Sequence, residues 1–170
     1  MRFDRESASA TDVREAMSRL VTGVVVATTQ TRKGPFGMTI NSLTSITFEP
    51  PIVLICLNTA NRGYQAILES GSYAANILGG SHQWIARRFA TPGLSNKQRF
   101  DGVETRVATT GSPIIRAAAG WLDCRVVDIQ YLGTHGLFFG QVAAAAQDEL
   151  DEVPLAYYQR KMYPLGVPES

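Results

Sequence analysis

The chain has 170 residues, enough for one domain with a sizeable core. Hydrophobic residues make up 45% and charged residues 18%, a balance typical of folded rather than disordered proteins. The formal net charge of +1 gives no electrostatic reason to expect nucleic acid or an anionic membrane as a partner, and no apolar run approaches the length of a membrane-spanning helix.

The first part of the chain predicts one helix followed by strands. Residues 9–20 carry apolar side chains at helical spacing, and Ser9 or Thr11 can cap the helix. The next segments are rich in β-branched residues and predict strands over 21–29, 37–48 and 52–57. A turn is predicted at 32–35, and Pro50 and Pro51 are expected to interrupt the ladder.

The second part predicts a mixture of short helices and a long hairpin. The expected elements are a helical turn at 63–69, a strand at 72–78, a helix capped by Ser81, a loop over 91–112 and a hairpin of 122–131 with 137–146. No βαβ alternation is visible, which favours an antiparallel β-barrel with peripheral helices. We expect a single domain over 1–170, with its core at about 12–165.

Several kinds of site are not indicated. The sequence has no glycine-rich dinucleotide or P-loop fingerprint and no serine hydrolase elbow. His82 and His135 have no cysteine or carboxylate at metal-ligand spacing, so no metal site is expected. Cys56 and Cys124 form no CxxC pair, and the charged N-terminus lacks a signal-peptide pattern. These features predict a cytoplasmic protein with reduced thiols.

Polar side chains cluster within a strand-like segment at 39–45, where five of seven positions carry a hydroxyl or an amide. Hydroxyls and backbone N–H groups at the end of a strand can hold a phosphate when a nearby cation supplies charge. The alternative is a threonine- and serine-rich edge strand that faces water.

Three weaker signals lie farther along the chain. Asn76 interrupts an apolar strand, and a buried amide needs partners, which a neighbouring loop can also provide. Cations stand beside aromatic residues at 86–89 and 97–100, a pattern that suits an anionic ring-bearing ligand or a solvated helix face. His135 is flanked closely by glycines, so its backbone can approach a phosphate or an amide.

In shared order and spacing, these segments resemble the flavin reductase family with the FMN-binding split-barrel fold, the short reductase components of two-component flavin monooxygenases. The resemblance is carried by segments 14–24, 37–45, 49–57, 73–78, 85–90, 99–100, 133–140 and 154–158. It implies an antiparallel Greek-key split barrel that binds FMN or FAD, oxidises NADH or NADPH, supplies reduced flavin to a partner monooxygenase and forms a homodimer.

The resemblance also implies which residues contact the flavin. They are Thr39, Ile40, Asn41, Ser42, Thr44, Ser45, Cys56, Leu57, Asn58, Ala75, Asn76, Arg88, Phe89, Lys97 and Phe100. Arg88, together with Lys97 or Arg99, is expected to neutralise the flavin phosphate. The family's usual Gly-Asp-His motif reads Gly-Thr-His at 133–135, so His135 keeps the nucleotide-contacting role while Thr134 supplies no carboxylate.

The implied reaction is hydride transfer between the two cofactors, which asks the protein for orientation rather than for a nucleophile. Three alternatives remain open from the sequence. The first is a flavin carrier or sensor of the same fold that does not turn over NAD(P)H, a reading that Thr134 favours. The second is an oxidase related to the pyridoxine-phosphate oxidases, although no second basic cluster is visible along the sequence. The third is an interaction protein whose polar strand is an exposed edge.

Overall fold

The computed structural model describes residues 7–147 and 153–166, and β-strands dominate this part of the chain. Its helices are α1 (Ala10–Met17), α2 (Arg62–Ser70), α3 (Gln83–Ala90) and α4 (Asn96–Phe100). Its strands are β1 (Thr22–Gly23), β2 (Val25–Thr31), β3 (Gly34–Ile40), β4 (Thr44–Phe48), β5 (Pro51–Asn58), β6 (Ser72–Leu78), β7 (Thr105–Arg106), β8 (Ile114–Ile115), β9 (Ala118–Leu132), β10 (His135–Gln147), β11 (Leu155–Tyr158) and β12 (Lys161–Pro164). None of these helices is long and apolar enough to cross a bilayer.

Seven strands form one antiparallel sheet in the order β3-β2-β6-β9-β10-β5-β4. β3 and β4 lie at opposite edges of this sheet, yet only residues 41–43 connect them. In a flat sheet these edges would be about 29 Å apart, whereas four Cα–Cα steps span at most about 15 Å. The sheet is therefore rolled, which confirms the predicted antiparallel split barrel.

Strand β2 is buried on both of its faces and thereby positions α3. Val25 and Ala27 face the barrel core, while Val24 and Val26 pack against Phe89 and its neighbours on α3. Alternate residues of a strand point to opposite sides of the sheet, so one apolar run serves both layers. As a result, α3 is held against the outer face of the barrel beside the end of β3.

The predicted hairpin of β9 and β10 is confirmed. Gly133 and Thr134 form the two-residue turn between the strands, and Gly133 has a φ of +58°. A type II′ turn needs a positive φ at its first central position, where glycine is the favoured residue. His135 is thus the first residue of β10 rather than part of the turn.

Three predicted segment assignments were wrong. The strand expected over 37–48 is divided at 41–43, because Ser42 bonds to the backbone of Cys56 in β5 instead of continuing a ladder. The helix expected to be capped by Ser81 is preceded by His82 at the cap position and starts at Gln83, after a 3₁₀ turn at Gly80–His82. The expected loop over 91–112 contains α4, whose capping box is formed by Ser95 and Gln98.

The two ends of the described chain and the segment around Pro51 differ from the prediction in smaller ways. Ser9 caps α1, which is shorter than predicted, and its apolar side is not buried, with Met17 58% exposed. Pro51 does not interrupt the sheet but begins β5 opposite Phe48. The C-terminal segment forms the β11–β12 hairpin, and β11 pairs with β1.

Candidate active site

The polar segment after β3 is fixed by hydrogen bonds to two neighbouring elements. The Thr39 hydroxyl donates to the carbonyl of Ala86 in α3 over 2.6 Å. The Ser42 hydroxyl donates to the Cys56 carbonyl over 3.0 Å and accepts from the Cys56 N–H over 3.1 Å. Asn41 lies between these anchors and is exposed. The segment is therefore held rigidly while it presents an amide to solvent.

A central cavity of about 230 Å³ opens beside this segment. It is lined by Val24, Thr39, Ile40, Asn41, Ala90, Tyr157 and Met162. These residues come from the end of β3, the end of α3 and the β11–β12 hairpin. Ligand sites combine apolar walls with a few directed polar groups. The mixture suits one end of a planar heteroaromatic ring system.

An adjoining cleft of about 370 Å³ shares Thr39 and Ala90 with the central cavity. Arg62 and Arg99 both line this cleft, and no carboxylate of the described residues does. Desolvation lowers the pKa of Arg99, and the positive charge of Arg62 lowers it further. Two neighbouring guanidinium groups without a carboxylate favour an anionic ligand such as phosphate.

Arg99 is positioned by the backbone between α3 and α4. Its guanidinium donates to the carbonyls of Phe89, Thr91 and Leu94, at 2.9 Å for Thr91 and 3.3 Å for Leu94. The capping box of α4 fixes the helix that carries Arg99. The arginine therefore organises the cleft wall and also contributes its charge.

The N-terminus of α2 opens into the same cleft. Asn61 caps this nine-residue helix by accepting from the N–H of Gly63 over 3.0 Å, and Arg62 is its first residue. Asn61 and Arg62 both line the cleft. The positive end of a helix dipole stabilises an anion, which adds to the effect of the two arginines.

Two predicted phosphate-binding cations lie elsewhere. Arg88 stacks 4.8 Å from the Trp84 ring centroid and donates to the Asp101 carbonyl. Lys97 is exposed on α4, and neither residue lines the cleft or the central cavity. Of the alternatives considered from the sequence, Arg99 is the cation that the fold brings to the cleft.

Phe89 and Phe100 support the cleft from behind. Their rings pack edge to face with centroids 5.0 Å apart, and Phe89 is 1% exposed. Both rings lie against Gly37, where an added Cβ would be 2.4 Å from the nearest Phe89 carbon. Gly37 therefore allows α3 to approach β3 closely, which brings the cleft wall next to Thr39.

His135 lines neither the cleft nor the central cavity, but hydrogen bonds link its neighbourhood to the N-terminus of α2. It pairs with Asn58 across β10 and β5, and its Nδ1 is 3.0 Å from the Thr134 hydroxyl. The Thr134 carbonyl accepts from the Thr59 N–H over 2.9 Å, and the Asn61 N–H donates to the Asn58 carbonyl over 2.9 Å. The turn over 58–61 thus connects the hairpin to the N-terminus of α2.

Ala75 and Asn76 are fully buried and are not brought to either cavity. The Asn76 amide group donates to the Val26 carbonyl over 2.9 Å and to the Thr28 hydroxyl over 3.0 Å. Its carbonyl accepts from the Ile115 N–H over 2.7 Å. These contacts match the structural alternative, in which a buried asparagine ties together the segments around it.

The remaining predicted flavin contacts lie around the rim of the barrel. Leu57 is 2% exposed and belongs to the core, whereas Cys56 is half-buried. Thr44 and Ser45 are exposed on the edge strand β4. None of these side chains lines the cleft or the central cavity, although Cys56 is bonded to Ser42 in the segment that does.

Sequence reasoning missed Arg62, Tyr157 and Met162. Arg62 carried a usable signal, since it follows Asn61, a good helix cap just before the helical turn predicted at 63–69. Tyr157 and Met162 carried none, because only the position of the β11–β12 hairpin brings them beside Thr39 and Asn41.

Comparison with known proteins follows this geometry. The chain is 35% identical over 133 residues to a longer "Probable flavin reductase" of Rhizobium meliloti, spanning 78% of this chain and 42% of that protein. It is 35% identical over 144 residues to the FMN reductase (NADH) RutF 2 of Methylorubrum extorquens, covering 85% of this chain and 83% of the relative. It is 33% identical over 141 residues to HsaB of Mycobacterium tuberculosis, the reductase subunit of a flavin-dependent monooxygenase, covering 83% and 71%.

The fold leads to the same family. The structure of the Streptomyces globisporus NADH:FAD oxidoreductase SgcE6, in complex with NAD and FAD fragments, superposes with a TM-score of 0.86. The identity is 26%, and the match covers 97% of this chain and 99% of that one. The family model described as flavin reductase like domain matches residues 17–166. The chain belongs to the flavin reductase family.

Proposed function

We propose that this protein uses NADH to reduce FMN or FAD and supplies the reduced flavin to a partner oxygenase. The observation that carries the proposal is the central cavity beside Thr39 together with the adjoining cleft. Arg62 and Arg99 line this cleft, none of the described carboxylates does, and the chain belongs to the flavin reductase family. The relatives named as an FMN reductase (NADH) and as a monooxygenase reductase subunit support the choice of substrates and partner.

In the proposed arrangement, Arg62, Arg99 and the N-terminus of α2 hold the flavin phosphate. Thr39, Asn41 and Tyr157, which line the central cavity, would then surround the ring. If flavin and NADH are bound, the cofactors themselves would supply the hydride-transfer chemistry. The contribution of the chain is to orient the two rings and to exclude water between them.

The function is tested by NADH and NADPH oxidation, followed by the loss of reduced-nicotinamide absorbance with and without added FMN or FAD. Oxidation that saturates with flavin is expected and supports a reductase. Flavin binding without oxidation favours the carrier or sensor alternative and points to Thr134. Oxidation of pyridoxine 5′-phosphate by oxygen, without NADH use, would support the oxidase alternative instead.

His135 is proposed to contact the carboxamide side of the nicotinamide through its Nε2, because Thr134 engages its Nδ1. We expect His135→Ala to raise the KM for NADH about tenfold through the loss of one hydrogen bond to a polar ligand. The Kd for FMN should change less than about twofold. Steady-state kinetics and FMN fluorescence titration separate the two effects, and an equal loss of both affinities would contradict this role.

The two cysteines offer a probe of flavin position. Burial raises the pKa of Cys56 and raises that of Cys124 to about 12. Because the thiolate is the reactive form, both thiols should react slowly with Ellman's reagent at neutral pH and faster as the pH rises. Unfolding in urea should expose both thiols at once.

Bound FMN should slow the labelling of half-buried Cys56 several-fold if the flavin covers the backbone around Ser42. Cys124 is fully buried and serves as the internal reference. Mass spectrometry of the labelled peptides measures both rates. Unchanged Cys56 labelling at saturating FMN would remove Cys56 from the proposed flavin contacts.

We also propose a single-domain homodimer located in the cytoplasm. Phe48 is 82% exposed on the edge strand β4 beside exposed Ile46, and a second copy can cover such an apolar edge. The free thiols and the use of NADH support the location. Light scattering should give about twice the 18.5 kDa mass of one chain, and a monomer at micromolar concentration would contradict the dimer.

A further inference from the structure

A third cavity, of about 440 Å³, adjoins the central cavity and shares no lining residue with the arginine-lined cleft. It shares Asn41 and Tyr157 with the central cavity, while the arginine-lined cleft shares Thr39 and Ala90 with it. The central cavity is therefore next to both of the other spaces, and the three together are called the groove. Its middle is the central cavity, and the cleft with Arg62 and Arg99 is one of its ends.

The third cavity also carries a pair of arginines. Arg14 comes from α1 and Arg160 from the β11–β12 turn, and the Gln159 N–H donates to the Ser18 carbonyl over 2.9 Å, which ties the turn to the end of α1. No carboxylate among the described residues lines this cavity, and neither arginine forms an ion pair within residues 7–147 and 153–166. The sequence showed no second basic cluster, and the fold creates one.

The position of this second pair restricts the ligand it can bind. FMN has one phosphate, and the two phosphates of FAD are directly bonded neighbours, so either flavin places its anionic group at one end of the groove. If Arg62 and Arg99 hold that group, the opposite pair is left for the anion of a second molecule. A nicotinamide dinucleotide carries a diphosphate at a distance from its ring, which fits a ring in the central cavity and an anion beyond it.

We infer that Arg14 and Arg160 bind the diphosphate of the nicotinamide dinucleotide while its nicotinamide lies over the flavin. This inference rests on the proposed function, since it requires flavin in the central cavity. The guanidinium forks match phosphate oxygens, and Tyr157 lies between the diphosphate site and the ring site. The pair therefore adds affinity for the dinucleotide and none for free FMN.

The test compares Arg14→Ala and Arg160→Ala with the wild-type protein. Each replacement should raise the Kd for NAD⁺, measured by calorimetry on FMN-saturated protein, and the KM for NADH about tenfold. The Kd for FMN should stay within about twofold. Arg160→Lys should recover part of the loss, and Arg125→Ala, which removes an exposed arginine of β9 outside the three cavities, should have no effect.

Nicotinamide riboside sharpens the test because it keeps the ring and the ribose and has no phosphate. Wild-type protein should prefer the dinucleotide to the riboside, and both alanine variants should reduce this preference about tenfold. The inference is overturned if the preference persists, or if the variants weaken FMN binding instead. Absence of FMN binding and of NADH oxidation in the wild-type protein would reject the proposed function itself, a result distinct from either of these.

Discussion

Replacing Arg99 with alanine is expected to weaken FMN binding about 100-fold. The change removes a charge-assisted hydrogen bond to the proposed phosphate, for which 1.5–3 kcal/mol is a usual range and about 1.4 kcal/mol corresponds to tenfold. It also releases the carbonyls of Phe89, Thr91 and Leu94, which loosens the cleft wall. Quenching of FMN fluorescence on titration with protein measures the Kd, and circular dichroism checks the fold.

Two comparison variants separate charge from structure at this site. Arg99→Lys keeps the charge without the planar fork and should lose about tenfold. Arg88→Ala removes the cation that stacks on Trp84, outside the cleft, and should change the Kd less than about threefold. A larger loss from Arg88→Ala than from Arg99→Ala would return the phosphate-binding role to Arg88 and refute the cleft assignment.

Replacing Asn76 with alanine is expected to destabilise the protein by about 3 kcal/mol. The substitution leaves the Ile115 N–H buried without its acceptor and removes the amide that donates to the Val26 carbonyl and the Thr28 hydroxyl, and an unsatisfied buried group costs about 1–3 kcal/mol. Urea unfolding followed by circular dichroism measures the change in the free energy of unfolding. The fraction that stays folded in buffer should bind FMN with the wild-type Kd.

Asn41 provides the matched comparison for Asn76. It is exposed and lines the central cavity, and its side-chain amide is 3.4 Å from the Thr22 hydroxyl. Asn41→Ala should therefore change the free energy of unfolding by less than about 0.5 kcal/mol while weakening FMN binding. Reversed results, with Asn76→Ala folding normally and losing FMN, would show that Asn76 contacts the flavin after all.

Thr134 is where this chain departs from the Gly-Asp-His pattern that the sequence comparison led us to expect. The hydroxyl that replaces the carboxylate still reaches the Nδ1 of His135, at 3.0 Å. A hydroxyl can donate or accept, whereas an ionised carboxylate only accepts. The substitution therefore keeps a hydrogen-bonding partner for the ring nitrogen and removes a negative charge beside it.

The sequence alone determined the fold class, the family and most of the strands. Alternating and β-branched patterns marked the strands of the barrel, and the glycine-flanked segment at 133–136 marked the hairpin, because these signals are local to a few neighbouring residues. The turn itself occupies only 133 and 134. The polar segment at 39–45 was also recognisable, since hydroxyl and amide side chains are unusual in a half-buried strand. Its residues Thr39, Ile40 and Asn41 line the central cavity.

Only the tertiary structure decided which arginine side chains line the groove. Arg99 and Arg88 look alike in the sequence, but Arg88 stacks on Trp84, one turn earlier in α3, while the position of α4 brings Arg99 to the cleft. Arg14 and Arg160 lie near opposite ends of the chain. They line the same cavity because the β11–β12 turn is hydrogen-bonded to the end of α1. Such pairs depend on contacts between distant segments, and the periodicity of a single strand or helix contains no information about them.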